Sequence, residues 1–188
     1  AMLGLEGVRR AALSLRPWPG PMNDEAAAEM AALIRRVKRA GRVAVRLAPA
    51  GYDPEVTMLI ALMQNLGRLV VQYHFPEESA QIRRLIQPSE ASAEGAAADP
   101  GMSAEAASFA VLGADVEELG LAVARHWGLD ESVLHMIRRL APTAPVRHPD
   151  GDNDMLRTTA SCANDLVEAL AQPARRVNTA LNAVASRY

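Results

Sequence analysis

Apolar residues recur along this 188-residue chain at steps of three and four, the spacing of one helix face, and nowhere do they alternate with polar residues over a strand's length. Residues 3–15 place Leu5, Val8, Ala12 and Leu15 on one side, and Arg16-Pro17-Trp18-Pro19-Gly20-Pro21 then forms a rigid connector that no helix crosses. A second helix is expected to start at Asn23 or Asp24, a capping residue type, with Asp24 and Glu25 complementing the helix dipole in its first turn. Met30, Leu33, Ile34 and Val37 form its buried stripe. Val43, Ala44 and Leu47 carry the period past Gly41, and Ala50-Gly51 marks its end. The most apolar stretch, residues 53–72, repeats through Val56, Leu59, Ile60, Met63, Leu66 and Val70 after an Asp53-Pro54 start, and predicts one continuous central helix.

A shorter helix is expected over 76–86. Residues 88–101 change to Ser, Ala, Gly, Pro and acids and predict a loop. Helices at 103–112, 116–127 and 132–140 follow, the middle one flanked by Gly113 and Gly128. A second loop at 142–154 leads to a terminal pair, 156–170 and 174–185, broken at Pro173. Val43-Ala44-Val45 is the one β-prone run, and its surroundings favour helix. The pattern predicts an all-α bundle of about eight or nine helices.

Composition agrees: the chain is 49% hydrophobic but 4% aromatic, so its core is built from Ala, Leu and Val, which pack helix on helix. The net charge of −2 gives no general attraction to nucleic acid or to an anionic membrane. No run approaches the roughly 18 apolar residues of a membrane span, and Ala1-Met2-Leu3 does not open a secretory signal. A lone cysteine, Cys162, excludes an internal disulfide and is expected to be a buried structural thiol in a cytoplasmic protein. Charge is unevenly distributed: Arg35, Arg36, Lys38, Arg39, Arg42 and Arg46 have no acid among them, and no Lys or Arg lies between Arg84 and Arg125. These are either two solvated stretches that could attract each other or a face for an acidic partner or a phosphate ligand, with Arg35, Arg36, Arg39 and Arg42 as the candidate anion-binding residues.

Three segments together carry a family resemblance. Met58-Leu59-Ile60-Ala61-Leu62-Met63-Gln64-Asn65-Leu66-Gly67-Arg68-Leu69-Val70 resembles the hallmark helix of HDOD domains, in which a leucine-rich run leads to His-Asp, an aliphatic residue and Gly. Val111-Leu112-Gly113-Ala114-Asp115-Val116-Glu117-Glu118-Leu119-Gly120 is similar to a second signature, where histidine commonly stands in place of Val116. Trp127-Gly128-Leu129-Asp130 resembles the W-x-L-P turn, and the helix after it often ends in histidines where this chain has Arg138-Arg139. The resemblance implies an HD-like helical core over residues 1–140, shortened at its N-terminus, with 141–188 as a helical pair packed on it. It also implies a larger signalling protein in which such domains are joined to kinase, receiver or cyclic-dinucleotide domains.

HD-type phosphohydrolases hold metal with imidazole, which offers a lone pair at neutral pH, and with carboxylate, which offsets the cation's charge. Gln64 and Asn65 offer only neutral amides, Val116 offers nothing, and Arg138 or Arg139 places a fixed positive charge where a metal is expected. His74, His126, His135 and His148 are scattered, and no nucleophile elbow or phosphate loop is present. No cofactor, metal or catalytic residue is therefore expected. The leading reading is a non-catalytic regulatory module docking on other signalling domains or on its own copy as a homodimer. A second reading is a binder of an anionic small molecule such as a nucleotide, using the vacated site with Arg138 and Arg139 or the Arg35 to Arg46 face. A residual metal enzyme using Asp115, Glu117, Glu118 or Asp152 comes third, without supporting spacing.

Overall fold

Asn23 opens the first described helix: its side-chain oxygen accepts from the Ala26 N–H at 2.7 Å, satisfying a donor that the first turn leaves free. The computed structural model describes residues 23–87, 101–141 and 146–188, so the expected helix at 3–15, its proline connector, most of the 88–101 loop and part of the 142–154 loop lie outside the described residues. Among the described residues there are nine helices and no strand. They are α1 (Asp24–Leu47), α2 (Pro54–Met63), α3 (Leu66–His74), α4 (Pro76–Ile86) and α5 (Ala104–Leu112), then α6 (Val116–His126), α7 (Glu131–Ile137), α8 (Asp152–Leu170) and α9 (Ala174–Arg187). None is long and apolar enough to cross a membrane.

The long helices α1 and α8 form the frame, with α2 packed on both. Ala44 of α1, Ile60 and Ala61 of α2, and Leu156, Ala160 and Ala163 of α8 make one buried cluster, in which alanines let the helix axes approach closely. A second cluster joins Leu66 of α3 to Leu121 and Ala124 of α6 and to Leu134 and Ile137 of α7. Between α3 and α6 the backbones themselves meet: a Cβ on Gly67 would lie 1.9 Å from the Val116 carbonyl oxygen, and one on Gly120 would lie 2.6 Å from the Gly67 nitrogen. Only glycine fits at that crossing. α9 contributes no fully buried residue and packs on α8.

Three boundaries depart from the sequence pattern. The expected central helix over 53–72 is two helices, α2 and α3, separated by a turn at Gln64-Asn65. Its cause is local. The Ala61 carbonyl accepts from the side-chain amides of Asn65 and Asn164, at 3.0 and 3.1 Å, and the Asn65 backbone N–H turns to Leu62 at 3.0 Å. The apolar period runs through the break because both halves keep facing the core, so periodicity could not detect it. The helix expected over 132–140 stops at Ile137, where Arg157 donates from Nε to the Arg138 carbonyl at 2.7 Å. The helix expected from 156 begins at Asp152, inside the expected loop.

Candidate functional site

The break between α2 and α3 brings Gln64 and Asn65 into the interior, 6% and 4% exposed, against the polar edge of α8. Gln64 Nε2 donates to the carbonyls of Met136 and Arg157 and to Ser161 Oγ at 3.1–3.3 Å, and its Oε1 accepts from Asn164 Nδ2 at 3.0 Å. Asn65 Nδ2 donates to Asn164 Oδ1 at 2.8 Å, and Asn164 Nδ2 also reaches the carbonyls of Ala61 and Ala160, each at 3.1 Å. Ser161 Oγ takes a further bond from the Leu140 N–H at 3.2 Å. Three amides and a hydroxyl thus satisfy one another and close the helix ends around them, as buried polar groups must.

Beside this network, Met63, Gln64, Gly67, Glu117, Gly120, Leu121, Ile137 and Arg138 enclose about 10 Å³, room for one water. Val116 is half-buried at the first turn of α6, with its carbonyl against Gly67. Arg138 lines the same space but is exposed and pairs with Glu118 at 2.5 Å. Burial raises the Glu117 carboxyl above its ordinary value, while the charges of Arg139, Arg68 and Arg138 pull the other way.

Arg139 turns away from Gln64. It is 7% exposed, and its guanidinium donates to Asp165 at 2.6 Å and to Glu168 at 2.8 Å. Burial opposes its charge, but the two carboxylates more than offset this and strengthen its hold on the proton. Glu168 also pairs with Arg68 of α3, and Asp165 accepts from Arg187 Nη1 at 2.7 Å and from the Tyr188 hydroxyl at 2.9 Å. Burial works against the Glu168 carboxylate, yet the Arg68 and Arg139 charges and hydrogen bonds outweigh it and hold its pKa at about 2. Burial and Asp165 push the half-buried Cys162 thiol up to about 11, Arg187 opposing, so it is no nucleophile at neutral pH.

The structure therefore brings Gln64 and Arg138 to one small space, leaves Val116 outside its lining with its carbonyl against Gly67, sets Asn65 in the amide network, and gives Arg139 to an ion cluster. Arg35, Arg36, Arg39 and Arg42 are all exposed on α1 and belong to neither. Asn164, Ser161, Asp165 and Glu168 were not singled out in the sequence. Their signal is the run Arg157, Ser161, Asn164, Glu168, polar residues at steps of four, three and four within an otherwise apolar helix face.

The donor set does not fit a metal ion. No group of three His, Cys, Asp or Glu side chains among the described residues could hold one, and the amides at the centre already serve protein partners. The model of the HDOD domain family matches residues 1–141, most of the chain. The chain belongs to the HDOD family. This HDOD domain is also similar in fold to the crystal structure of a "Putative phosphohydrolase" from Shewanella amazonensis SB2B, at 17% sequence identity and a TM-score of 0.54. That alignment covers 84% of the HDOD chain but 54% of the other, so the chain spans about half that protein's length. Among proteins with curated functions, none matches.

Proposed function

We propose that this HDOD domain is a non-catalytic regulatory module of a cytoplasmic signalling protein, which relays a conformational state by docking on partner domains. One observation carries the reading. The positions where the family's metal ligands would stand hold Gln64 and Asn65, and these amides are knitted to Asn164 and Ser161 of α8. A metal centre needs free lone pairs and negative charge; this centre offers neutral amides engaged with protein, bordered by Arg138. The similar fold of a protein named as a phosphohydrolase bears on architecture, and fold alone does not set chemistry. A nucleotide is a poor fit for the same place, because the space admits one water and Arg139 is already committed to two carboxylates.

The test is metal analysis of the purified chain together with hydrolysis of bis-p-nitrophenyl phosphate. Substoichiometric metal and no turnover are expected, including after incubation with manganese, iron or zinc. Stoichiometric metal with phosphodiesterase turnover would overturn the reading.

A further inference from the structure

The strongest unpartnered feature is the outer edge of α1. Arg35, Arg39, Arg42 and Arg46 follow one another at steps of four, three and four, so they line one side of the helix over about 16 Å, flanked by Arg36 and Lys38. All six are exposed, and none makes an ion pair among the described residues. No acid occurs between Glu29 and Asp53 to neutralise them. The opposite side of α1, with Met30, Val37, Ala40 and Ala44, is buried in the bundle, so this edge is fixed in place and faces solvent. At its C-terminal end Arg39, Arg42 and Arg46 surround Val43 and the 38% exposed Leu47 in an open groove of about 470 Å³.

We propose that this edge docks an acidic, amphipathic segment of a partner protein, with its carboxylates on the arginine ladder and an aliphatic side chain in the Val43–Leu47 groove. The proposal rests on the reading of the chain as an interaction module and names the surface it uses. Charge complementarity selects the partner. Guanidinium groups pair with carboxylates in bidentate fashion, and neighbours one turn apart match carboxylates repeated at three and four residues. The net charge of −2 disfavours nucleic acid and anionic lipid, and among the described residues no aromatic ring lines the groove to stack a base. A second copy is also disfavoured: α1 carries acids only in its first two turns, at Asp24, Glu25 and Glu29, and Glu29 already pairs with Arg83 at 3.6 Å, so antiparallel α1 helices would oppose arginine to arginine at their centre.

The test is fluorescence anisotropy of the full chain with a labelled helical peptide of about 18 residues, long enough to span the ladder, carrying Glu at steps of three and four with Leu between them. Micromolar binding is expected, falling at least tenfold in Arg39→Glu/Arg42→Glu/Arg46→Glu and on raising salt from about 50 to 300 mM, which shortens the range of these charges. Leu47→Ser should weaken it several-fold, which a purely electrostatic site would not show. Arg84→Glu/Arg147→Glu, also exposed, should leave it unchanged, and melting temperatures check that every variant is folded. No binding, or binding indifferent to the triple reversal, overturns the proposal. So does tighter binding of a single-stranded oligonucleotide or of phosphatidylglycerol vesicles through the same arginines, or a concentration-dependent dimer that the triple reversal abolishes. A hydrolytic, metal-loaded chain would instead sink the proposed function without altering these titrations.

Discussion

Replacing Gln64 by Met and Asn164 by Leu, singly and together, measures how firmly the amide network closes the former ligand positions. Each change keeps side-chain length or branching and removes only polarity. Gln64→Met deletes donation to Met136, Arg157 and Ser161 and leaves an Asn164 N–H with one partner fewer. Three acceptors share two protons, so about two full hydrogen bonds are lost, at roughly 1 kcal/mol each, with a further 1 kcal/mol for the groups left short in the interior. The more apolar side chain returns about 1 kcal/mol. A net loss of about 2 kcal/mol is expected, lowering the melting temperature by roughly 4–8 °C in a chain of this size. Asn164→Leu should cost more, about 3 kcal/mol, because it strips partners from Gln64 and Asn65 and a donor from the Ala61 and Ala160 carbonyls. The double variant should be less damaging than the sum by at least about 1 kcal/mol, since each single change has already broken their shared bond. Urea denaturation followed by circular dichroism gives all four corners of the cycle. Additive losses, or a Gln64→Met chain as stable as the parent, would refute the view that these amides are interlocked core.

Gly67→Ala should destabilise by about 2 kcal/mol or more despite better helix propensity, because its Cβ meets backbone at 1.9 Å, and thermal melts will show it. Gly41→Ala should be within about 1 kcal/mol of neutral, since its Cβ meets side-chain carbons and no backbone, Met58 Cγ at 3.0 Å and Leu62 Cδ2 at 3.1 Å, and their small displacement offsets the gain in helix propensity. Glu168 has a folded pKa depressed to about 2, so its contribution is complete above the ordinary carboxyl value and is lost as pH falls from about 4.5 through 2. The side chain is 36% exposed, so solvent screening reduces this contribution to about 1–2 kcal/mol, and Glu168→Gln should flatten that part of the stability–pH curve. Arg139→Met should cost about 2–4 kcal/mol in urea denaturation: it strips one partner from Asp165, although Arg187 and Tyr188 remain to it.

The helical architecture was legible because each helix keeps an apolar face at helical spacing and most carry a capping residue, such as Asn23, Asp53, Ser103, Asp115 and Asp130. The family was legible for a related reason: Gly67, Asp115, Gly120 and Trp127 stand at signature positions, and the Gly67–Gly120 crossing shows why glycine is needed there. The turn at Gln64-Asn65 was not legible, since it depends on Asn164, about a hundred residues away, occupying the Ala61 carbonyl. Nor was the opposite orientation of two adjacent arginines. Sequence placed Arg138 and Arg139 at one site, but the helix ends at Ile137, and the extended backbone beyond it sends them to Glu118 and to Asp165 with Glu168.

Helix α9 has no fully buried residue and rests on α8, yet Arg187 at its end and Tyr188 just beyond it reach Asp165, and Arg187 also reaches the carbonyls of Leu140 and Ala141. Its apolar side chains, Val177, Ala180, Leu181 and Val184, are only half-buried. In native-state hydrogen exchange it should behave as a separate cooperative unit, opening many times for each global unfolding event, while amides of α1 and α8 wait for the whole domain. Protease access should follow the same order, with early cleavage near the exposed Gln172 and the fragment ending there retaining the cluster built on Ala44, Ile60 and Ala160.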